Sequence, residues 1–261
     1  MTESTRSTRP GREDIASGLL RFARYAFPPN RLGYCGPVDD GSLLAHITAG
    51  LSDPGLRHLA LGFEGAVPYL QVIAAANGRA DPFDPEVVEA YWVGNRLLGA
   101  VPVSMMGRSL DDRFRRRAGA GWSALAEAIP AGAVPHHSFH VFAVYPWVGM
   151  LRSGEGSEPL HVLDRCRIRS GVVQAVEGDI AVVRSRSLVW DGYRLDLGHH
   201  ISEPVSFAGA PPRPGDAVTM HWDWICEVVA SSVAIRLESV TRSQMELVNG
   251  LPLPGPVAVL V

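Results

Sequence analysis

Residues 166–183 read C-R-I-R-S-G-V-V-Q-A-V-E-G-D-I-A-V-V. Two short apolar runs rich in valine and alanine flank Gly178-Asp179. Such runs on either side of a glycine-aspartate turn predict a β-hairpin, with strands over 172–176 and 180–183. A lone cysteine, Cys166, stands just ahead of it, in a chain with only two others.

Downstream the punctuation continues. Asp191-Gly192 predicts a tight turn between strands over 188–190 and 193–197. Pro214-Gly215-Asp216 leads into a strand over 217–221, and 225–229 continues it or forms another. Ser231 or Ser232 opens a helix with Val233, Leu237, Val240, Gln244 and Leu247 on one side, closed by Asn249-Gly250. Short strands with frequent turn residues, then one helix, predict a small β-barrel with a C-terminal helix.

Upstream the period is helical. Ile15, Leu19, Phe22, Ala23 and Ala26 share a face, and Pro28-Pro29 is expected to stop that helix. A second helix is expected over 39–49. Asp53-Pro54 and Asp84-Pro85 each place a capping carboxylate before a proline suited to the first helical position. The helix after Asp84 is expected to reach Leu98, and Ser109 to open another ending near Ile129. F-H-V-F-A-V-Y, 139–145, favours a strand, and 152–159 a linker. The fold class is thus α+β in two domains: a disordered tail over 1–11, a mostly helical domain over 12–155, an OB-like β-barrel plus helix over 160–250, and a proline-rich tail over 251–261.

Composition bounds the function. The chain has 261 residues, 46 % hydrophobic and 20 % charged, enough for a sizeable core. A net charge of −3 and no lysine argue against a nucleic-acid partner, which needs a basic face. No apolar run reaches membrane-spanning length, and three scattered cysteines suit a reducing compartment, so a cytoplasmic protein without membrane contacts is expected. No phosphate-loop or dinucleotide fingerprint occurs.

Several side chains are candidates for chemistry. Arg165, Arg167 and Arg169 around Cys166 are expected to favour its thiolate; the competing reading is a small core residue beside a solvated edge. His221 ends an apolar strand, and on a strand Asp223 points the same way and would orient the imidazole. Trp222 and Trp224 share the other face, as core aromatics or a docking surface. Cys226 reads as buried filler. His136, His137 and His140 invite a metal reading, but 136–140 looks like a loop entering a strand. Cys35, in G-Y-C-G-P, is an alternative nucleophile, and His199-His200 looks like a loop pair.

The segment from Cys166 onwards resembles the HypC/HupF/HybG type of [NiFe]-hydrogenase maturation chaperone. Cys166 and Gly171 stand at that family's cysteine-to-glycine spacing and run without a gap into its first hairpin. Arg194-Leu195-Asp196-Leu197 resembles its third strand, and P-G-D-A-V-T-M-H, 214–221, its glycine turn, strand and histidine. In that family the cysteine is N-terminal; here it is internal and has no α-amine. The resemblance implies an OB-like barrel and a chaperone rather than an enzyme, with a [NiFe]-hydrogenase large-subunit precursor and a HypD-type maturation protein as partners. It implies Cys166 and His221 as metal ligands and Cys166, Gly171, Trp222 and Trp224 as partner-binding residues. No stably bound cofactor is expected; iron with cyanide and carbon monoxide ligands is transient cargo. The alternatives are a cysteine-dependent enzyme using Cys35 or Cys166, or an OB-like binding module. Residues 24–37 and 136–149 resemble an uncharacterised, mainly actinobacterial family that adds no mechanism.

Overall fold

The structure, a computed structural model, describes residues 18–39, 41–118 and 122–251. The expected tails over 1–11 and beyond Leu251, and the start of the first helix, lie outside the described residues.

The first half is helical: α1 (Gly18–Arg31), α2 (Ser42–Ala49), α3 (Pro54–Leu61), α4 (Val67–Ala76), α5 (Pro85–Trp92), α6 (Val103–Ala118) and α7 (Trp122–Ala128). Asp53 accepts the Leu56 N–H at 2.8 Å and Asp84 the Glu86 N–H at 2.9 Å, each with proline at the first helical position. Helix α5 stops at Trp92 rather than Leu98. Gly94, at φ +90°, lets the Val93 and Gly94 N–H groups both turn back to the Glu89 carbonyl. A short 3-10 turn, Arg96–Ala100, follows. Helix α6 begins six residues before Ser109, and α7 ends at Ala128; residues 119–121 between them lie outside the described residues.

Of residues 139–145, expected as a strand, all but Tyr145 are helical. α8 (His137–Phe139) passes into a single π-type turn over His140–Val144. The segment is buried on every side, so it has no polar stripe to set a period, and a short apolar run suits either structure. Next come α9 (Trp147–Arg152) and α10 (Glu158–Cys166). The barrel therefore starts at Arg169 rather than 160, and Cys166 ends a helix rather than entering a strand.

Five strands form a closed barrel in the order β1-β2-β3-β5-β4: β1 (Arg169–Glu177), β2 (Ile180–Trp190), β3 (Leu195–Ser206), β4 (Ala217–His221) and β5 (Trp224–Val229). The hairpin turn at Gly178 (φ +61°) and the Asp191–Arg194 turn fall where the sequence places them. The His199-His200 pair lies within β3, not in a loop. All neighbours are antiparallel except β3 and β5, which close the barrel in parallel at Ser206 and Trp224. Val173, Ala181, Val183, Val205, Val218, Met220 and Ile225 fill the inside. Helix α11 (Ser231–Gly250) covers one side; Asn249 near its end holds the backbone of Leu195 with two hydrogen bonds of 2.9 Å.

A second core runs from α1 through α5, α8 and α10 to Trp222 and Cys226 of the barrel and Leu237 and Met245 of α11. Polar pairs stitch the same junction. Arg21 of α1 reaches Glu227 at 2.9 Å and Glu89 at 3.2 Å, and the Tyr25 hydroxyl meets Thr219 at 2.7 Å. The barrel and the helices thus bury apolar surface against each other, and α1, α8, α10 and the end of β4 converge there.

Candidate functional site

The site is assembled from chain ends. Pro28 and Pro29 do not stop α1; they lie in its last turn, which runs to Arg31. Pro29 has no N–H to give the carbonyl four residues back, that of Tyr25. His221, the last residue of β4, takes that carbonyl instead, its Nδ1 donating at 2.6 Å. The imidazole is wholly buried, its Nε2 holds the lone pair, and among the described residues that atom has no hydrogen-bond partner. Burial pushes its pKa well below the usual histidine value, and His137 adds to this; the carbonyls of Tyr25 and Cys166 oppose it in part. Asp223 does not orient the ring. Trp222 takes the left-handed conformation, φ +53°, so the chain turns before Asp223, whose exposed carboxylate pairs with Arg165 at 2.8 Å.

Cys166 is the last residue of α10, where carbonyls lack helical partners. The Trp222 N–H takes the Arg165 carbonyl at 2.8 Å, and His137 Nε2 donates to that of Cys166 at 2.8 Å. With Nε2 donating, His137 Nδ1 accepts from the Tyr91 hydroxyl at 3.2 Å. Burial lowers the His137 pKa to about 4, the Cys166 carbonyl opposing.

The expected thiolate at Cys166 is corrected. Arg165 pairs with Glu203 and Asp223, Arg167 with Asp164 at 2.9 Å, and Arg169 with Glu203. These cations point at carboxylates rather than the sulfur. Burial wins, and the Cys166 thiol is pushed far up, with a further rise from Cys35. A neutral thiol at neutral pH is a poor nucleophile.

Cys166, His137 and His221 each bring one ligand atom to within 4.8 Å of the others. They line a cavity of about 140 Å³ whose other walls include Cys35, His140, Trp92 and Tyr145. Four-coordinate metal–nitrogen and metal–sulfur bonds place donor atoms roughly 3.3–3.8 Å apart, so closing the set onto an ion needs a contraction of about 1 Å. His221 is prepared, with Nδ1 anchored and Nε2 open. To ligate an ion, His137 would have to release the Tyr91 hydroxyl or the Cys166 carbonyl. His140 meets the Tyr69 hydroxyl at 3.3 Å, and burial lowers its pKa well below the ordinary value. The Trp92 indole N–H is buried without an acceptor.

Cys35 faces this cavity from the loop after α1. The residue is partly buried and lines the cavity, and burial pushes its thiol up to about 12. His136 turns away and accepts the Ser138 N–H at 3.0 Å as a helix cap. Cys226 is buried outside the cavity, as filler. The partner-binding set has a different placement from that expected. Gly171 is buried, and a Cβ there would lie 2.4 Å from Val183 Cγ1. Trp222 is buried under Tyr34, ring centroids 4.4 Å apart, and Trp224 packs on Phe27 at 5.1 Å. Gly171 and Trp222 are buried in the packing, and Trp224 is partly buried.

The sequence model of a family of unknown function, DUF6390, matches residues 14–253. The chain belongs to this family. The match spans the helices and the barrel together, so both walls of the cavity lie within it. Neither the curated proteins nor the solved structures yield a match. No helix among the described residues is long and apolar enough to cross a membrane.

Proposed function

We propose that this chain is a metallocentre-assembly chaperone that holds iron in the buried pocket through the Cys166 thiolate and the His221 imidazole, with His137 as a third donor. The supporting observation is the convergence of one thiol and two neutral imidazoles within 4.8 Å in a cavity. Thiolate and imidazole suit a soft, electron-rich metal. Cys166 has no α-amine of its own to offer, and the two imidazoles supply nitrogen in its place. The Trp92 N–H offers a donor to a polar ligand carried on the metal, such as cyanide. The raised thiol favours this reading over a cysteine nucleophile. No arginine lines the pocket to compensate a free thiolate, whereas a bound cation displaces the thiol proton outright.

The closed five-stranded barrel and the Cys166–Gly171 register support an OB-like module of the HypC type. On that reading the recipient is a [NiFe]-hydrogenase large-subunit precursor and the loading partner a HypD-type protein, both met in the cytoplasm. Affinity capture of the full-length protein from hydrogenase-expressing cells tests it. Recovery of the large subunit, lost in Cys166→Ala, is the expected result. Abundant folded bait that brings down neither partner would remove the hydrogenase assignment.

A further inference from the structure

We infer that Cys35 is a second sulfur ligand, so that the metal is held between two thiolates, one from the loop after α1 and one from the end of α10. The inference rests on the metal reading of the pocket. Cys35 and Cys166 line the same cavity from opposite elements, the loop after α1 and the end of α10. Within that cavity the wholly buried His221 Nε2 has no hydrogen-bond partner among the described residues, which points to a ligand at this place independently of either thiol.

The loop is built to present Cys35. Asn30 Nδ2 donates to the carbonyls of Cys35 and Pro37, each at 2.8 Å, and the Tyr34 N–H returns to the Pro29 carbonyl at 2.9 Å. Gly36, at φ +85°, adopts a conformation costly for other residues, and a Cβ there would lie 2.4 Å from the Phe63 ring. Tyr34 stacks on Trp222, the residue after His221, and so ties the loop to the chain carrying the open imidazole. A filler cysteine on a half-exposed loop would need none of this.

Cys35 lies outside the 4.8 Å group, so ligation needs the loop to move inward. Gly33, at φ +76° with open space around its Cα, and Gly36 bracket the moving part. On binding a divalent cation, each thiol forms one metal–sulfur bond and loses one proton, two protons leaving for solvent per ion. The cation keeps its oxidation state.

The test is X-ray absorption spectroscopy of the reduced, full-length protein loaded with one equivalent of Co²⁺, standing in for ferrous iron. The expected count is two sulfur neighbours in the wild type, one in Cys35→Ser and Cys35→Ala, and two in the control Cys226→Ala. Circular dichroism confirms that each variant is folded, and the two Cys35 variants guard against a single misfolded substitution. One sulfur in the wild type, unchanged in Cys35→Ala, overturns the inference and leaves Cys166 and His221 in place. Failure of the wild type to bind a stoichiometric ion overturns the metal reading and this inference together.

Discussion

Mild acid should destabilise this protein, and the magnitude follows from four buried histidines. His136, His137, His140 and His221 are buried and neutral in the folded chain. Burial depresses their pKa to about 3 for His136 and about 4 for His137, and well below 6.5 for the other two. In the unfolded chain each titrates near 6.5. The unfolded state therefore binds protons first as pH falls. The stabilisation is fully present above about 6.5 and is lost as pH drops toward the folded-state values. At pH 5.5 the loss is about 1.4 kcal/mol per histidine, or about 6 kcal/mol for four, against a typical total of about 5–15 kcal/mol. Urea denaturation followed by circular dichroism at pH 7.5, 6.5 and 5.5 reads this directly. With a slope of about 3 kcal/mol per molar urea, the midpoint should fall by about 2 M between the extremes. His137→Gln should remove about a quarter of the drop. A midpoint that does not move between pH 7.5 and 5.5 would mean the imidazoles are solvated or already charged, and the neutral-ligand pocket would fall with them.

Three further outcomes follow from the same geometry. Co²⁺ affinity should rise with pH between 6.5 and 8, because the buried thiols start protonated and the imidazoles neutral; competition titration should show about tenfold per pH unit for one ionising thiol and about a hundredfold for two, and a flat profile would exclude a thiolate ligand. Gly171→Ala should lower stability by about 1–3 kcal/mol through its clash with Val183 Cγ1 and the Arg184 carbonyl, while metal affinity of the folded protein stays unchanged; an affinity loss of tenfold or more would give Gly171 a part in the site. Asp223→Asn should leave both the His221 tautomer, read by nitrogen NMR, and Co²⁺ affinity as they are, since Asp223 pairs with Arg165; a shifted tautomer would restore the carboxylate–imidazole contact expected from the strand pattern.

Much of the barrel was legible because its signals are local. Gly178, Asp191-Gly192 and Gly215 sit at turns that only a few residue types tolerate, and the runs between them form strands. The two aspartate caps were legible for the same reason. Elements set by burial were not. Residues 139–144 are buried on every side, so their period is silent, and the helix that brings His137 to the cavity reads in the sequence as a loop entering a strand. Once that segment is a helix, His137 and His140 both reach the cavity wall while His136 turns away. The charge reading at Cys166 failed for a related reason. Three neighbouring arginines predict a thiolate only if they face the sulfur, and their partners Asp164, Glu203 and Asp223 are fixed by the fold. Pro29 signals a helix stop in the sequence, yet in the fold it lies within α1 and leaves the Tyr25 carbonyl open for His221. The pairing of Cys166 with His221, expected from the resemblance, is present, but in the interior rather than on the barrel surface.

The central claim is that Cys166 and His221 hold a metal inside this pocket. Anaerobic titration of the reduced full-length protein with Fe²⁺, alongside folded Cys166→Ala and His221→Ala, tests it most directly. The account predicts one ion per wild-type chain and a loss of more than about 100-fold in affinity for each variant, since even outer-sphere partners are worth about 10–100-fold. Equal affinity in wild type and Cys166→Ala, or no stoichiometric binding by the wild type, would contradict it.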